Sequence, residues 1–126
     1  MAEIDVGMLH GLRVLVVEDE PLLSMALIDE LEAVGAIVVG PAASVEGALD
    51  LLATTSADAA ILDFELQGRF VYPVADLLVE RGVPFILTTG HDAEMLPERY
   101  AFVPNSAKPA LASDVLAALA ASIAER

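Results

Sequence analysis

The sequence predicts an α/β domain on an open parallel sheet, and three observations carry that. Short runs rich in Val, Leu, Ile and Ala alternate with helical patterns from residue 12 to the end. The first of these runs is near-continuous in Val and Leu, as suits a strand covered on both faces. The length, 126 residues, suits one domain.

Residues 12–17 (LRVLVV) form the first strand. Pro21 suits the first turn of a helix. Leu23, Leu27 and Leu31 give that helix a buried stripe, Asp29, Glu30 and Glu32 stay wet, and Gly35 stops it. Residues 36–39 form a second short strand closed by Gly40-Pro41. Ser44 can cap the next helix, in which Val45, Ala48, Leu49 and Leu52 follow helical spacing. Residues 59–62 form a third strand ending at Asp63, and a polar, irregular stretch covers 65–70. Pro73 opens a helix with Val74, Leu77 and Leu78 on one face, stopped by Gly82. The fourth strand starts at Pro84 and runs to Thr88 and Thr89. Residues 92–99 read as a short helix broken near Pro97, 101–103 as the fifth strand, and 110–125 as the last helix. Residues 1–11 are a loosely ordered lead-in, and 12–126 are the domain. For five such units the common solution is a flavodoxin-like (βα)5 doubly wound sheet, strand order 2-1-3-4-5, with right-handed crossovers.

Composition narrows the function. Six basic residues face twenty acidic ones, for a formal net charge of -14. No basic footprint for nucleic acid exists, and an anionic lipid surface would repel the chain. There are no cysteines, so disulfides, thiolate metal sites and cysteine nucleophiles are excluded. Glu3 and Asp5 stand where a signal peptide needs positive charge, and no apolar run approaches the roughly 20 residues of a membrane span. A cytoplasmic location is the expectation.

The strand order gathers the chemistry-bearing residues. Glu18, Asp19 and Glu20 follow strand one, Asp63 ends strand three, Thr88 and Thr89 end strand four, and Lys108 follows strand five. Ligands of such sheets bind beyond the carboxyl ends of the strands, where the order reverses. Each residue alone has a plainer reading: Asp63 a turn residue, the acidic run a solvated helix start, Lys108 a surface charge. Their joint placement on one edge favours a site. Each pair of carboxylates at ~4 Å repels by about 4 kcal/mol at an effective dielectric of ~20. A hard divalent cation relieves this, and Mg2+ takes few carboxylates plus waters. A carboxylate nucleophile, a metal, a hydroxyl at Thr89 and an amine at Lys108 suit phosphoryl transfer.

With those residues in place, the chain resembles the receiver domains of bacterial two-component response regulators. The matching pieces are VLVVEDE (14–20), AAILD (59–63), VPFILTTG (83–90) and AKP (107–109). The resemblance implies that Asp63 is the phosphoacceptor, that Glu18, Asp19, Asp63 and the backbone carbonyl of Glu65 face Mg2+, that Thr89 is the switch hydroxyl, and that Lys108 contacts the phosphate. It implies a cis Lys108-Pro109 bond, and a sensor histidine kinase or histidine phosphotransferase as phosphodonor. The downstream partner is a protein, and a homodimer is compatible. Stretches 40–49 and 72–100 are similar to stand-alone alphaproteobacterial receivers that act in stress signalling. Some of those carry Phe-Ala-Thr-Gly at the end of strand four, where this chain has Leu87-Thr88-Thr89-Gly90.

The chain also departs from the family. FELQG follows Asp63 in place of a Met-Pro loop, Asn105 stands where an aromatic switch residue is common, and Ala110 follows Lys108-Pro109. Tyr100 and Phe102, nearby, read as packing residues. Glu65 and His91 occupy places that flank the phosphoryl group in receivers and would tune its hydrolysis. Two alternatives stand beside the phosphoacceptor: a phosphorylation-independent pseudo-receiver, and a small aspartate-nucleophile phosphohydrolase of the haloacid dehalogenase type. The latter wants a second Asp where Glu65 stands. A flavin-binding flavodoxin fits poorly, because the acidic turn after strand one would repel the cofactor's phosphate.

Overall fold

The computed structural model describes residues 6–90 and 96–125. Among the described residues, seven strands and four α-helices follow in chain order: β1 (Arg13–Val17), α1 (Pro21–Ala33), β2 (Ile37–Ala42), α2 (Val45–Thr54), β3 (Ala59–Asp63), β4 (Glu65–Leu66), β5 (Arg69–Phe70), α3 (Tyr72–Glu80), β6 (Phe85–Thr89), β7 (Asn105–Ala107) and α4 (Ala112–Ala124). The main sheet is parallel and ordered β2-β1-β3-β6-β7. With the small β4-β5 hairpin set aside, this is the expected 2-1-3-4-5 order.

Period-two alternation divides the core into two layers. Leu15, Val17, Ala60, Leu62, Phe85 and Leu87 pack with α2 and α3. Val14, Val16, Ala59, Ile61 and Ile86 pack with α4 and with Leu27 and Leu31 of α1. All five residues of β3 and all five of β6 are buried, as central strands of a two-sided sheet require. Ser44 caps α2 by accepting a hydrogen bond from Gly47 N at 3.0 Å. Gly35 ends α1 at φ +82°, a conformation that a β-carbon disfavours.

Four local expectations are corrected. Leu9, inside the expected lead-in, lies in a 3-10 turn (Val6–Leu9) and is fully buried against the α1–α4 layer. β2 does not close at Gly40-Pro41 but runs through it to Ala42, with a shift of register against β1. The stretch 65–70 is not irregular: β4 and β5 pair antiparallel, and Gln67 and Gly68 turn the chain with φ of +51° and +81°, the two-residue hairpin geometry. The fifth strand is not 101–103. Phe102 there is 70% exposed and does not pack in the core; the strand is Asn105–Ala107. As the sheet's edge, β7 needs no apolar run, and its polar residues hid it. Of the expected helix at 92–99, residues 92–95 lie outside the described residues, and Glu98–Tyr100 is a 3-10 turn.

Candidate functional site

Because β1 and β3 are neighbours, their carboxyl ends place Glu18 and Asp19 beside Asp63. One carboxylate oxygen from each lies within 4.8 Å of the others. Glu18 and Asp63 are buried, at 3% and 5% exposure. Backbone N–H groups hold all three carboxylates: Glu20 N donates to Glu18 at 3.0 Å, Gln67 N to Asp19 Oδ2 at 3.0 Å and Glu65 N to Asp63 Oδ1 at 3.3 Å.

Lys108 enters from the end of β7. Its backbone N–H donates to Thr89 O at 2.7 Å, and its peptide bond to Pro109 is cis. Its ammonium donates to Asp63 Oδ2 and Glu20 Oε2, each at 3.0 Å, and to Glu18 Oε2 at 3.3 Å. Burial alone would lower the Lys108 pKa, but its contacts with Asp63 and Glu20 outweigh that and hold it above its ordinary value. Asp63 shows the other side of the balance. Burial, then the neighbouring Glu18 charge, push its pKa up to about 8 despite the pull of Lys108. Burial also works to raise Asp19, but the Gln67 N–H, with smaller help from Asp63 and Lys108, holds it below its ordinary value.

This donor set fits a hard divalent cation. Three carboxylates share one ammonium, and even in contact with it Asp63 resists ionisation. The cluster is short of positive charge, and carboxylate oxygen donors suit a hard ion that keeps part of its water shell.

Thr88 and Thr89 are buried, at 0% and 1% exposure, and their hydroxyls have no hydrogen-bond partner among the described residues. A buried unsatisfied hydroxyl costs about 1–3 kcal/mol, and as consecutive strand residues the two point to opposite faces of the sheet. Sequence reasoning thus brought Glu18, Asp19, Asp63, Thr89 and Lys108 to one edge, and the structure does likewise. It placed Glu20 in the same acidic run without a role of its own; the Glu20 carboxylate shares Lys108, a contact that position along the chain could not reveal. Glu65 N donates to Asp63 Oδ1 at 3.3 Å. His91 lies outside the described residues. Tyr100 is buried, as a packing residue should be, while Asn105 is exposed at the start of β7.

A five-stranded 2-1-3-4-5 sheet with an acidic cluster and a lysine at its carboxyl edge defines a receiver-type fold. The solution structure of SdrG from Sphingomonas melonis Fr1 is 38% identical over 86% of this chain and 96% of SdrG, with a TM-score of 0.73. The BeF3-activated conformation of SdrG from Pseudomonas melonis Fr1 is 35% identical over 95% of this chain and 99% of that one, with a TM-score of 0.69. The PhyR response regulator REC domain of Erythrobacter litoralis matches in fold, at 24% identity over 94% of this chain and 91% of that one, with a TM-score of 0.75. No protein-family model and no curated protein matches the chain. The chain belongs to the response regulator receiver domains, beside SdrG. Among the described residues, no helix is long and apolar enough to cross a membrane.

Proposed function

We propose that this chain is a cytoplasmic phosphoacceptor, taking a phosphoryl group onto Asp63 from the phosphohistidine of a sensor histidine kinase or histidine phosphotransferase. The observation that carries it is the cluster of Glu18, Asp19 and Asp63, with the Lys108 ammonium bonded to Glu18 and Asp63 and the Thr89 hydroxyl, unpaired among the described residues, at the end of the neighbouring strand. A carboxylate oxygen of Asp63 bonds to phosphorus as the donor's N–P bond breaks, and the bonding pair leaves with the imidazole. Lys108 neutralises one phosphoryl oxygen as a point charge, and the Thr89 hydroxyl donates to another. Glu18, Asp19, Asp63 and the Glu65 backbone carbonyl would hold Mg2+. Bound there, that ion supplies charge neutralisation and orientation for an in-line displacement.

Two further features support the reading. SdrG has a BeF3-activated conformation, and a fluoroberyllate on a carboxylate has the tetrahedral shape of an acyl phosphate. Around the site, exposed apolar side chains offer the donor a footing: Leu22 and Leu111 share a groove with Lys108, and Met25 shares one with Glu18 and Asp19. The chain turns over no other substrate; it catalyses only its own phosphorylation and dephosphorylation. Its strand-four Leu-Thr-Thr-Gly is similar to the Phe-Ala-Thr-Gly of some stress-signalling receivers, which supports an output through protein binding.

Incubation with a small phosphodonor and Mg2+ tests this. The wild type is expected to acquire one phosphoryl group and Asp63→Asn none. Label that persists in Asp63→Asn overturns the assignment, and a wild type that neither labels nor binds Mg2+ is a pseudo-receiver instead.

A further inference from the structure

The family's common aromatic switch position is Asn105 here, on an exposed edge strand, yet the protein is not short of aromatic contacts beside the site. Phe64 follows Asp63 directly and is fully buried. Its ring lies 5.1 Å from that of Phe70 and 5.8 Å from that of Tyr72. Phe70 stacks on Tyr72 at 5.3 Å, and Tyr72 meets Tyr100 at 5.9 Å. At the far end the Arg99 guanidinium covers both tyrosine rings, 5.1 Å and 4.7 Å from their centres. Arg99 pairs with Asp76 at 3.1 Å, and the Tyr100 hydroxyl donates to the same carboxylate.

The near end of this chain of rings is tied to the site. The hairpin that carries Phe70 is held by Gln67 N on Asp19 Oδ2 and by Glu65 N on Asp63 Oδ1. Those carboxylates are the ones that phosphorylation and metal binding would engage. A change in their partners loosens or re-aims the hairpin, and packed rings move together because close-packed interiors leave no slack.

We propose that the hairpin and the rings Phe64, Phe70, Tyr72 and Tyr100 carry the state of Asp63 to the Arg99–Asp76 pair on the α3 surface, in place of an aromatic at Asn105. The proposal rests on Asp63 being a phosphoacceptor. Tyr72 is the one ring that touches Tyr100 among the described residues, so it is the place to cut.

The sequence has two tyrosines and no tryptophan. Tyr72→Phe keeps the ring, Tyr72→Leu removes it, and both leave Tyr100 as the sole tyrosine. BeF3 with Mg2+ is added to each while two signals are read: Tyr100 emission, and the backbone amide shifts of Glu65 and Thr89. In Tyr72→Phe both signals are expected to change. In Tyr72→Leu the amide shifts should persist while the emission change falls at least about twofold, the low end of what one coupling residue carries. An undiminished emission change in Tyr72→Leu overturns the relay. So does a Tyr72→Phe protein whose amides shift while its emission stays constant, a result that does not depend on the leucine variant folding. Amides that fail to shift in Tyr72→Phe overturn the phosphoacceptor reading, and the relay with it.

Discussion

The carboxyl edge of the sheet and the cluster around Tyr100 lie on the same domain and treat polar groups in opposite ways. Around Tyr100 three polar side chains complement one another: Asp76 accepts from Arg99 and from Tyr100, and Arg99 covers two rings. Asp76 is accordingly held low, chiefly by the Tyr100 hydroxyl, and burial followed by Asp76 pushes Tyr100 up to about 12. At the edge, Glu18, Glu20 and Asp63 divide one ammonium, Asp63 is pushed up to about 8, and two buried hydroxyls have no partner among the described residues. A satisfied network stabilises a fold; an unsatisfied one is a cost that folding alone does not explain. The difference marks the edge as the place that could bind a metal.

Substitutions should separate the two regions. The largest effect is expected at Asp63→Asn, which should lose phosphodonor labelling to background. Lys108→Ala should slow labelling about 100-fold, the usual cost of removing one preorganised charge from a transferring group, measured as the initial rate at saturating Mg2+. Next comes pH. An unfolded Asp ionises near its ordinary value, whereas folded Asp63 keeps its proton to about 8. Between those values the folded chain binds the extra proton, so the metal-free protein should lose stability, by a few kcal/mol at most, as pH rises from about 4 to about 8. Thermal melts should show that slope in the wild type and a flatter one in Asp63→Asn.

Smaller effects test the contrast in stability alone. Thr88→Val removes a buried, unsatisfied hydroxyl at nearly constant shape and should stabilise the protein by about 1 kcal/mol. Tyr100→Phe removes a satisfied one and should destabilise by about the same amount, since Asp76 loses a donor. Opposite signs in urea melts would confirm that the two regions differ; equal signs would erase the distinction.

The same contrast explains what was legible in the sequence. Central strands announce themselves, because burial on both faces leaves β3 as AAILD and β6 as FILTT. Once they were placed, topology brought Glu18, Asp19, Asp63, Thr89 and Lys108 together without any knowledge of side-chain contacts. Edge elements were harder. β7 is Asn-Ser-Ala, stabilised by pairing with β6 rather than by an apolar run, while Ala101, Phe102 and Val103 mimicked a strand. The hairpin at 65–70 was hidden because its turn is Gln-Gly rather than the stronger Asn-Gly signal. Leu9 was misjudged because one buried side chain in a short 3-10 turn has no periodicity to read. Glu20 and the ring contacts of Tyr72 depend on tertiary distance, which spacing along the chain does not encode.

The shortage of positive charge at the edge is measured most directly by following the Asp63 side-chain carboxyl carbon by NMR through a pH titration, with and without Mg2+. Asp63 should titrate near 8 in the metal-free protein and fall well below that value when Mg2+ is present. A midpoint at the ordinary aspartate value, unmoved by Mg2+, would contradict the cluster's need for a cation.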